Sequence, residues 1–191
     1  TMYDYQYATT PFFYKEQANW NPFDAYMSPT LRMAELFYTK NGVPIDEDIE
    51  FDYNDRFKVE AAPADHKYYV KPGYITTKLN LERETRFYAN LAFDGAIWFG
   101  NGRYKDVGQG AANEQPWVFQ TKKGEAQGKL SNLRYSLSGY WTRKITHFET
   151  VSTAHGATVI ERATFPIFRL ADLYLLYAEA LNESKDAPSP E

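Results

Sequence analysis

The stretch that most constrains the fold runs from Arg169 to Glu183, near the end of the 191-residue chain. Ala, Leu and Glu dominate it, and no helix-breaking residue follows Pro166 until the 184–188 region. Apolar side chains recur along it at helical spacing, at Leu170, Leu173, Tyr177 and Leu181. The stretch therefore predicts a long helix with apolar side chains on more than one face. Such a helix needs helical partners, and because no other stretch is long enough to provide them, we expect the chain to be part of something larger.

The composition narrows the classes of function. Aromatic residues make up 17% of the chain, with 16 Tyr, 13 Phe and 4 Trp, and such rings suit half-buried loops and binding surfaces. The net charge of −4 argues against a nucleic-acid partner, because a nucleic-acid binder needs a basic face to displace counterions. Cysteine is absent, which excludes disulfides, thiol nucleophiles and cysteine-ligated metal sites. No apolar run is long enough to predict a membrane span.

Short patterns predict local structure elsewhere in the chain. Residues 3–7 alternate Tyr with other residues and predict a short strand. The Ser-Pro start and Asn-Gly end of residues 28–42 predict a capped helix. The Asp94-Gly95 pair separates two apolar runs and predicts a β-hairpin, because its turn needs residues that tolerate positive φ. A further strand is predicted within residues 139–145, and 100–128 are predicted to be a long loop.

Catalytic, cofactor and metal motifs are not evident. The three His residues lie far apart in sequence, so a zinc hydrolase is not indicated. The acidic segment from Asp46 to Asp55 invites a calcium interpretation, since hard cations prefer carboxylate oxygens. It lacks the mid-loop Gly and the terminal Glu of an EF-hand, and we interpret it as a solvated acidic edge. The expectation is therefore that the chain has no catalytic residue, no metal site and no cofactor.

The aromatic rings are the remaining candidates for a site. A sugar presents an apolar face that stacks on indole or phenol rings, and four rings are proposed as ligand contacts: Trp20, Trp98, Trp117 and Tyr140. Asn101, Arg103 and Asn113 would supply directional hydrogen bonds. Trp141 follows Tyr140 in a strand pattern, so one of these two is expected in the core, and Trp141 is the one predicted to be buried.

Four segments together resemble the SusD/RagB family of nutrient-binding lipoproteins from the outer membrane of Bacteroidetes. Residues 169–183, RLADLYLLYAEALNE, resemble the most recognisable helix of the family. Residues 28–45 (SPTLRMAELFYTKNGVPI), 83–95 (RETRFYANLAFDG) and 138–144 (SGYWTRK) resemble three further motifs in the same order. The second of these three has Glu84-Thr85 where the family usually has Asp-Pro. The resemblance extends over nearly the whole chain.

The resemblance implies a mainly α fold, in which TPR-like helix pairs form a scaffold beside an irregular, loop-rich part with short β-hairpins. Residues 1–163 would then be the loop- and hairpin-rich part, and residues 164–185 would be the scaffold helix. Together they would form a single partial domain, because the N-terminal TPR region, the lipidated cysteine and the C-terminal end of the family are expected to lie outside this chain.

The resemblance also implies a function. Members of the family sit on the cell surface, anchored to the outer membrane, and form a lid over a SusC-like TonB-dependent transporter. They capture oligosaccharides, or peptides in some branches, and have no catalytic activity. Ligand-contacting rings vary between members, so no binding residue is carried over from a motif. Arg169, Asp172 and Glu179 would be helix-packing and ion-pair positions.

Two alternatives stay open at this point. A secreted glycoside hydrolase would turn over a chromogenic glycoside and would need a pair of carboxylates in a cleft. A structural adaptor of the transporter complex would have no ligand of its own, and its Trp residues would be buried or would face the partner chain.

Overall fold

The computed structural model describes residues 2–16, 27–100, 116–130, 135–152, 158–164 and 166–184. These residues contain four α-helices: α1 (Met2–Thr9), α2 (Leu31–Glu35), α3 (Thr85–Asn90) and α4 (Leu170–Ser184). They also contain three single-turn 3-10 helices, at Tyr53–Asp55, Ala64–His66 and Lys78–Asn80. The helix predicted from residue 28 is short: its cap is Thr30, whose side chain accepts the Met33 N–H at 3.2 Å, and it ends at Leu36.

The strands are short and pair two by two. Antiparallel pairs form between β1 (Val59–Ala61) and β2 (Ile75–Thr77), and between β3 (Leu91–Ala92) and β6 (Trp141–Thr142). Two further pairs join β4 (Ile97–Trp98) to β5 (Trp117–Val118), and β7 (Val151–Ser152) to β8 (Thr158–Val159). Two of the four pairs join segments that lie far apart in the chain, so they connect loops instead of building a broad sheet.

The prediction of a mainly α fold is wrong. Within the described residues, three of the four α-helices have eight residues or fewer, and most of the remaining backbone forms turns and irregular segments beside the strand pairs. Only α4, with 15 residues, has the length that the resemblance implies. The reason is that a packed cluster of rings, and not helix pairing, buries the apolar surface of this chain.

Two local predictions are also wrong. Residues 3–7 belong to α1 and not to a strand, because tertiary contacts of α1, such as the bond from buried Gln6 Nε2 to Glu161 O at 2.9 Å, override the alternation of Tyr residues. The Asp94-Gly95 pair does form a turn, in which the Ala96 N–H donates to Phe93 O at 2.9 Å and Gly95 has a φ of 91°. The flanking strands β3 and β4, however, pair with β6 and β5 and not with each other.

One hydrophobic cluster forms the core of the body, by which we mean the described residues from 2 to 164. Its rings pack mainly edge to face, as between Phe37 and Phe87, whose centroids are 5.6 Å apart. Arg83 runs through this core with 3% of its surface exposed. Its guanidinium donates to the backbone carbonyls of Ala34 in α2, of Phe37 and Tyr38 just after α2, and of Leu79 in the third 3-10 helix. These bonds hold α2 against the start of α3.

Helix α4 forms as the sequence predicts, but it packs differently from the body. No side chain of α4 is buried, and the exposed fraction rises to 70% at Leu175. Arg169 precedes the helix and donates to Asp172 from Nε at 3.2 Å and from Nη2 at 3.3 Å. In the part of the chain that the structure describes, no helix is both long and apolar enough to cross a membrane.

Candidate functional site

The pairing of β4 with β5 brings two of the predicted site residues together. Trp98 lies directly opposite Trp117, and the ring of Phe13 contacts both, at centroid distances of 5.8 and 5.5 Å. Trp98 also stacks on Phe119 at 5.0 Å with an angle of 18° between the rings. The guanidinium of Arg143 lies 5.0 Å from the Trp98 ring. Trp98 is therefore covered by neighbouring groups, with 3% of its surface exposed.

Solvent reaches this aromatic cluster at Trp117 and Tyr14, which are both half-buried. Their rings meet edge to face, with centroids 5.1 Å apart and an angle of 84°. Next to Tyr14 in sequence, Lys15 forms an ion pair with Glu125 at 3.7 Å. The surface thus combines two amphipathic rings with charged hydrogen-bonding groups, a combination that suits contact with a hydroxylated ligand.

The other predicted contacts lie apart from this cluster or outside the described residues. Tyr140 has 5% of its surface exposed, and its hydroxyl donates to Asn80 Oδ1 at 2.7 Å. Burial raises the pKa of the Tyr140 hydroxyl, which stays protonated and holds this bond. Trp20, Asn101, Arg103 and Asn113 lie outside the described residues. Ligand contact by all of these residues, and by Trp98 and Trp117, stays a prediction.

Trp141 is buried, as the sequence predicts, with 2% of its surface exposed. Its Nε1 donates to Gln127 O at 3.1 Å, and its ring meets Phe12 at 6.0 Å. The side chains of Trp141 and Arg143 face the interior. Arg143 donates from Nη1 to the carbonyls of Tyr88 and Ile97, each at 3.0 Å, and burial lowers its pKa to about 10.

A groove of about 1010 Å³ lies on the other face of β6. Side chains alternate along a strand, so Thr142 and Lys144 line the groove while Trp141 and Arg143 point away from it. Leu91, the partner of Thr142 in the β3–β6 register, lines it as well. The strand pair therefore divides the ring-packed core from an open surface.

Two helical faces complete the groove. Arg86 and Asn90 stand four residues apart on α3, so they lie on one face of that helix. Met33 of α2 and Phe37 just after it provide apolar surface, and the guanidinium of Arg86 lies 5.9 Å from the Phe37 ring. Hydroxyl groups from the segment before α2, at Ser28 and Thr30, stand beside them. Apolar, hydroxyl, amide and cationic groups thus share one surface.

The acidic segment is only partly the solvated edge that the sequence predicts. Asp46, Glu47, Glu50 and Asp52 are exposed, whereas Asp48 is buried with 8% of its surface exposed. The carboxylate of Asp48 accepts the Thr39 hydroxyl, the Glu50 N–H at 2.9 Å and the Asn41 Nδ2 at 3.1 Å. These bonds, the Thr39 hydroxyl first, hold the pKa of Asp48 below its usual range. Asp48 therefore anchors the turn after α2.

Within the part of the chain that the structure describes, no group of three or more His, Asp or Glu side chains is close enough together to hold a metal ion.

A model of the SusD family matches residues 1–189, and the chain belongs to this family. The selenomethionine form of BT4246, a SusD-like Bacteroides protein, superimposes with a TM-score of 0.64 at 28% identity, covering 94% of this chain and 29% of that one. A second structure of BT4246 gives 0.64 at 29% identity, covering 93% and 28%. The chain thus spans less than a third of the length of BT4246. No curated protein sequence matches it.

The groove was not predicted from the sequence, because the predicted ligand contacts were the Trp rings and Tyr140. A signal for it exists within the family motifs. Arg86 and Asn90 are four apart in RETRFYAN, and Thr142 and Lys144 are two apart in WTRK. Each pair shares one face of its element, but only the β3–β6 register shows that the two faces adjoin.

Proposed function

We propose that the chain belongs to a non-catalytic nutrient-binding protein that captures an oligosaccharide and delivers it to a SusC-like TonB-dependent transporter. The observation that carries the proposal is the family match over residues 1–189. SusD-family proteins are generally non-catalytic binding proteins and outer-membrane surface lipoproteins, so the proposal places the protein at the cell surface with a lipid anchor outside this chain.

The groove is the proposed place of capture. Its volume lies at the upper end of the range for small-molecule sites, about 300–1,000 Å³. Apolar C–H faces of a sugar would pack on Phe37 and Met33, while its hydroxyls would bond to Thr30, Asn90 and Thr142. Contacts of this kind are individually weak, and an affinity in the micromolar to millimolar range, about 4–8 kcal/mol, is expected.

The surface around Trp117 and Tyr14 is a second proposed contact. Trp117 keeps part of its ring open to solvent, which supports stacking on a sugar. Trp98 would act through Trp117, because its own faces are covered by Phe119 and Arg143. Trp20, Asn101 and Arg103 remain proposed contacts from neighbouring stretches of the chain, and Tyr140 remains a proposed contact whose hydroxyl would have to leave Asn80.

Isothermal titration of the full-length protein against a panel of neutral and charged oligosaccharides and peptides tests capture. We expect at least one oligosaccharide to bind, and Trp117→Ala to weaken it by about three- to tenfold, or 0.7–1.4 kcal/mol. Tyr68→Ala is the matched control, because Tyr68 is an exposed ring remote in sequence from both surfaces. Absence of binding to every oligosaccharide and peptide in the panel, or turnover of a chromogenic glycoside, would contradict the proposal.

A further inference from the structure

The groove carries an excess of positive charge that the protein as a whole does not have. The chain contains 25 acidic and 21 basic residues, with a net charge of −4. Among the described residues that line the groove, by contrast, Arg86, Lys144 and Arg169 are the charged groups, and none is acidic. A positive groove on a protein with a negative net charge indicates recognition of a ligand, because solubility requires only the net charge.

The three cations differ in how far their charges are already compensated. Arg169 is held by both carboxylate oxygens of Asp172, so this charge is largely matched within the chain. Arg86 has only a distant carboxylate, Glu84 Oε1 at 3.8 Å from Nη2, and that oxygen also accepts the Tyr38 N–H at 3.0 Å. For Lys144, the described part of the chain provides no carboxylate within ion-pair distance. Arg86 and Lys144 are therefore available to a ligand.

The two available cations belong to different elements that meet at the groove. Arg86 projects from the face of α3 that also presents Asn90, and Lys144 follows β6 on the face that presents Thr142. Each cation thus stands beside a neutral hydrogen-bonding group, and the Phe37 ring lies within 5.9 Å of the Arg86 guanidinium. Paired cationic and neutral polar groups beside an apolar ring match a sugar that carries acid groups among its hydroxyls.

We propose that the groove binds an acidic oligosaccharide, whose carboxylate or sulfate groups are recognised by Arg86 and Lys144. This inference rests on the proposed function and names the substrate class of the same site. The attraction between exposed cations and an anionic ligand is screened by salt, whereas ring stacking and hydrogen bonds to hydroxyl groups are not. Affinity for the acidic ligand should therefore fall as the salt concentration rises.

The test compares probes of matched length on the full-length protein by isothermal titration. The probes are tetragalacturonate, a sulfated galactotetraose, neutral galactotetraose and tetraglutamate. We expect one of the two acidic sugars to bind at least about tenfold tighter than the neutral one. This preference should be lost at about 1 M NaCl, where the Debye length is about 3 Å. Comparison of tetragalacturonate with the sulfated galactotetraose distinguishes recognition of a carboxylate from recognition of a sulfate.

Three variants locate the effect. Arg86→Gln and Lys144→Gln should each weaken binding of the acidic sugar by about three- to tenfold and leave the affinity for the neutral sugar unchanged. Lys123→Gln is the matched control, because Lys123 is also exposed but does not line the groove. The side chain of Arg86 is 75% exposed, so these variants should keep the melting temperature of the parent.

The possible outcomes separate this inference from the proposed function. Equal binding of neutral and acidic sugars, or no effect of Arg86→Gln and Lys144→Gln on acidic-sugar binding, overturns the acidic-ligand inference and leaves oligosaccharide capture standing. Tightest binding of tetraglutamate overturns it in favour of a peptide ligand. Failure of every sugar, here and in the wider panel, removes the proposed function itself.

Discussion

The body and helix α4 use the same kinds of side chain in opposite ways. The body buries its rings in one cluster, with Phe87 and Phe119 fully enclosed. Helix α4 is rich in Leu and Tyr, yet it exposes six of these side chains, from 51% at Leu173 to 70% at Leu175, and leaves Leu181 half-buried. The contrast separates two sources of order: tertiary packing in the body, and intrinsic helix propensity in α4. A 15-residue helix that relies on propensity is only marginally stable in water.

The largest expected effect lies in the aromatic cluster of the body. Trp98→Ala removes a ring that contacts Phe13, Phe119 and Arg143, and should lower the free energy of unfolding by about 3–5 kcal/mol. Trp117→Ala, on the half-exposed partner across the strand pair, should cost about 1–2 kcal/mol. Urea unfolding measures both. Equal losses would show that the two rings are buried alike, which would contradict the packing described.

The next effect concerns two arginines at the start of α3. Arg83→Met leaves buried carbonyls of Ala34, Phe37 and Leu79 without their donor and should cost about 2–4 kcal/mol. Arg86→Met, three residues later and exposed, should stay within about 0.5 kcal/mol. The same unfolding experiment compares the pair. A small loss of unfolding free energy in Arg83→Met would mean that water replaces the guanidinium and that the body is packed less tightly than described.

A smaller and pH-dependent effect is expected at Asp48. Its pKa is held below the ordinary value by the Thr39 hydroxyl and the Glu50 N–H. A carboxyl with a lowered pKa stabilises the folded state above its unfolded pKa, near 4, and that stabilisation is lost as the pH falls through the folded pKa. Asp48→Asn should therefore lower stability at neutral pH and flatten the acid limb of the unfolding profile below about pH 4. An unchanged acid limb would contradict this.

The smallest effect is expected in α4. Leu176→Ala removes an exposed side chain and should change the free energy of unfolding of this chain by no more than about 0.5 kcal/mol. Hydrogen exchange should also be fast along α4 and slow at the buried amides of residues 87–93. Slow exchange in α4 within the isolated chain would remove the contrast with the body.

The sequence predicts the elements whose signals are local. Helix α4 follows from its composition and spacing, and the burial of Trp141 follows from the strand pattern around it. The sequence also predicts the turn at Asp94-Gly95. The flanking strands β3 and β4, however, pair with β6 and β5, which are remote in the chain. No local pattern encodes such pairing, and the hairpin prediction failed for this reason. The mainly α prediction failed because the resemblance implied the helix-pair scaffold of the family, whereas the described residues contain one long helix beside short strand pairs.

The candidate site shows the same limit. Trp98 and Trp117 are recognisable as candidate rings in the sequence, but only the β4–β5 register reveals that they lie opposite each other, and only the packing reveals that Trp98 is buried. Arg86 and Lys144 lie within RETRFYAN and WTRK, but charged residues are common on exposed faces, so their type alone does not mark them as ligand contacts. Their shared groove depends on how α3, β3 and β6 meet, and this contact joins residues more than fifty positions apart.

The β4–β5 pair has a consequence for how such a chain can diversify. Trp98 and Trp117 face each other across the pair, so the two ends of the intervening stretch are fixed side by side by backbone bonds and packed rings. Closing a longer loop across fixed ends costs little, about 0.6 kcal/mol for each doubling of its length. An insertion between these two positions therefore starts and ends at residues that the fold already holds, and its cost in loop closure stays small. Changes of length at this place in the chain are thus among the least costly that a lineage could accumulate.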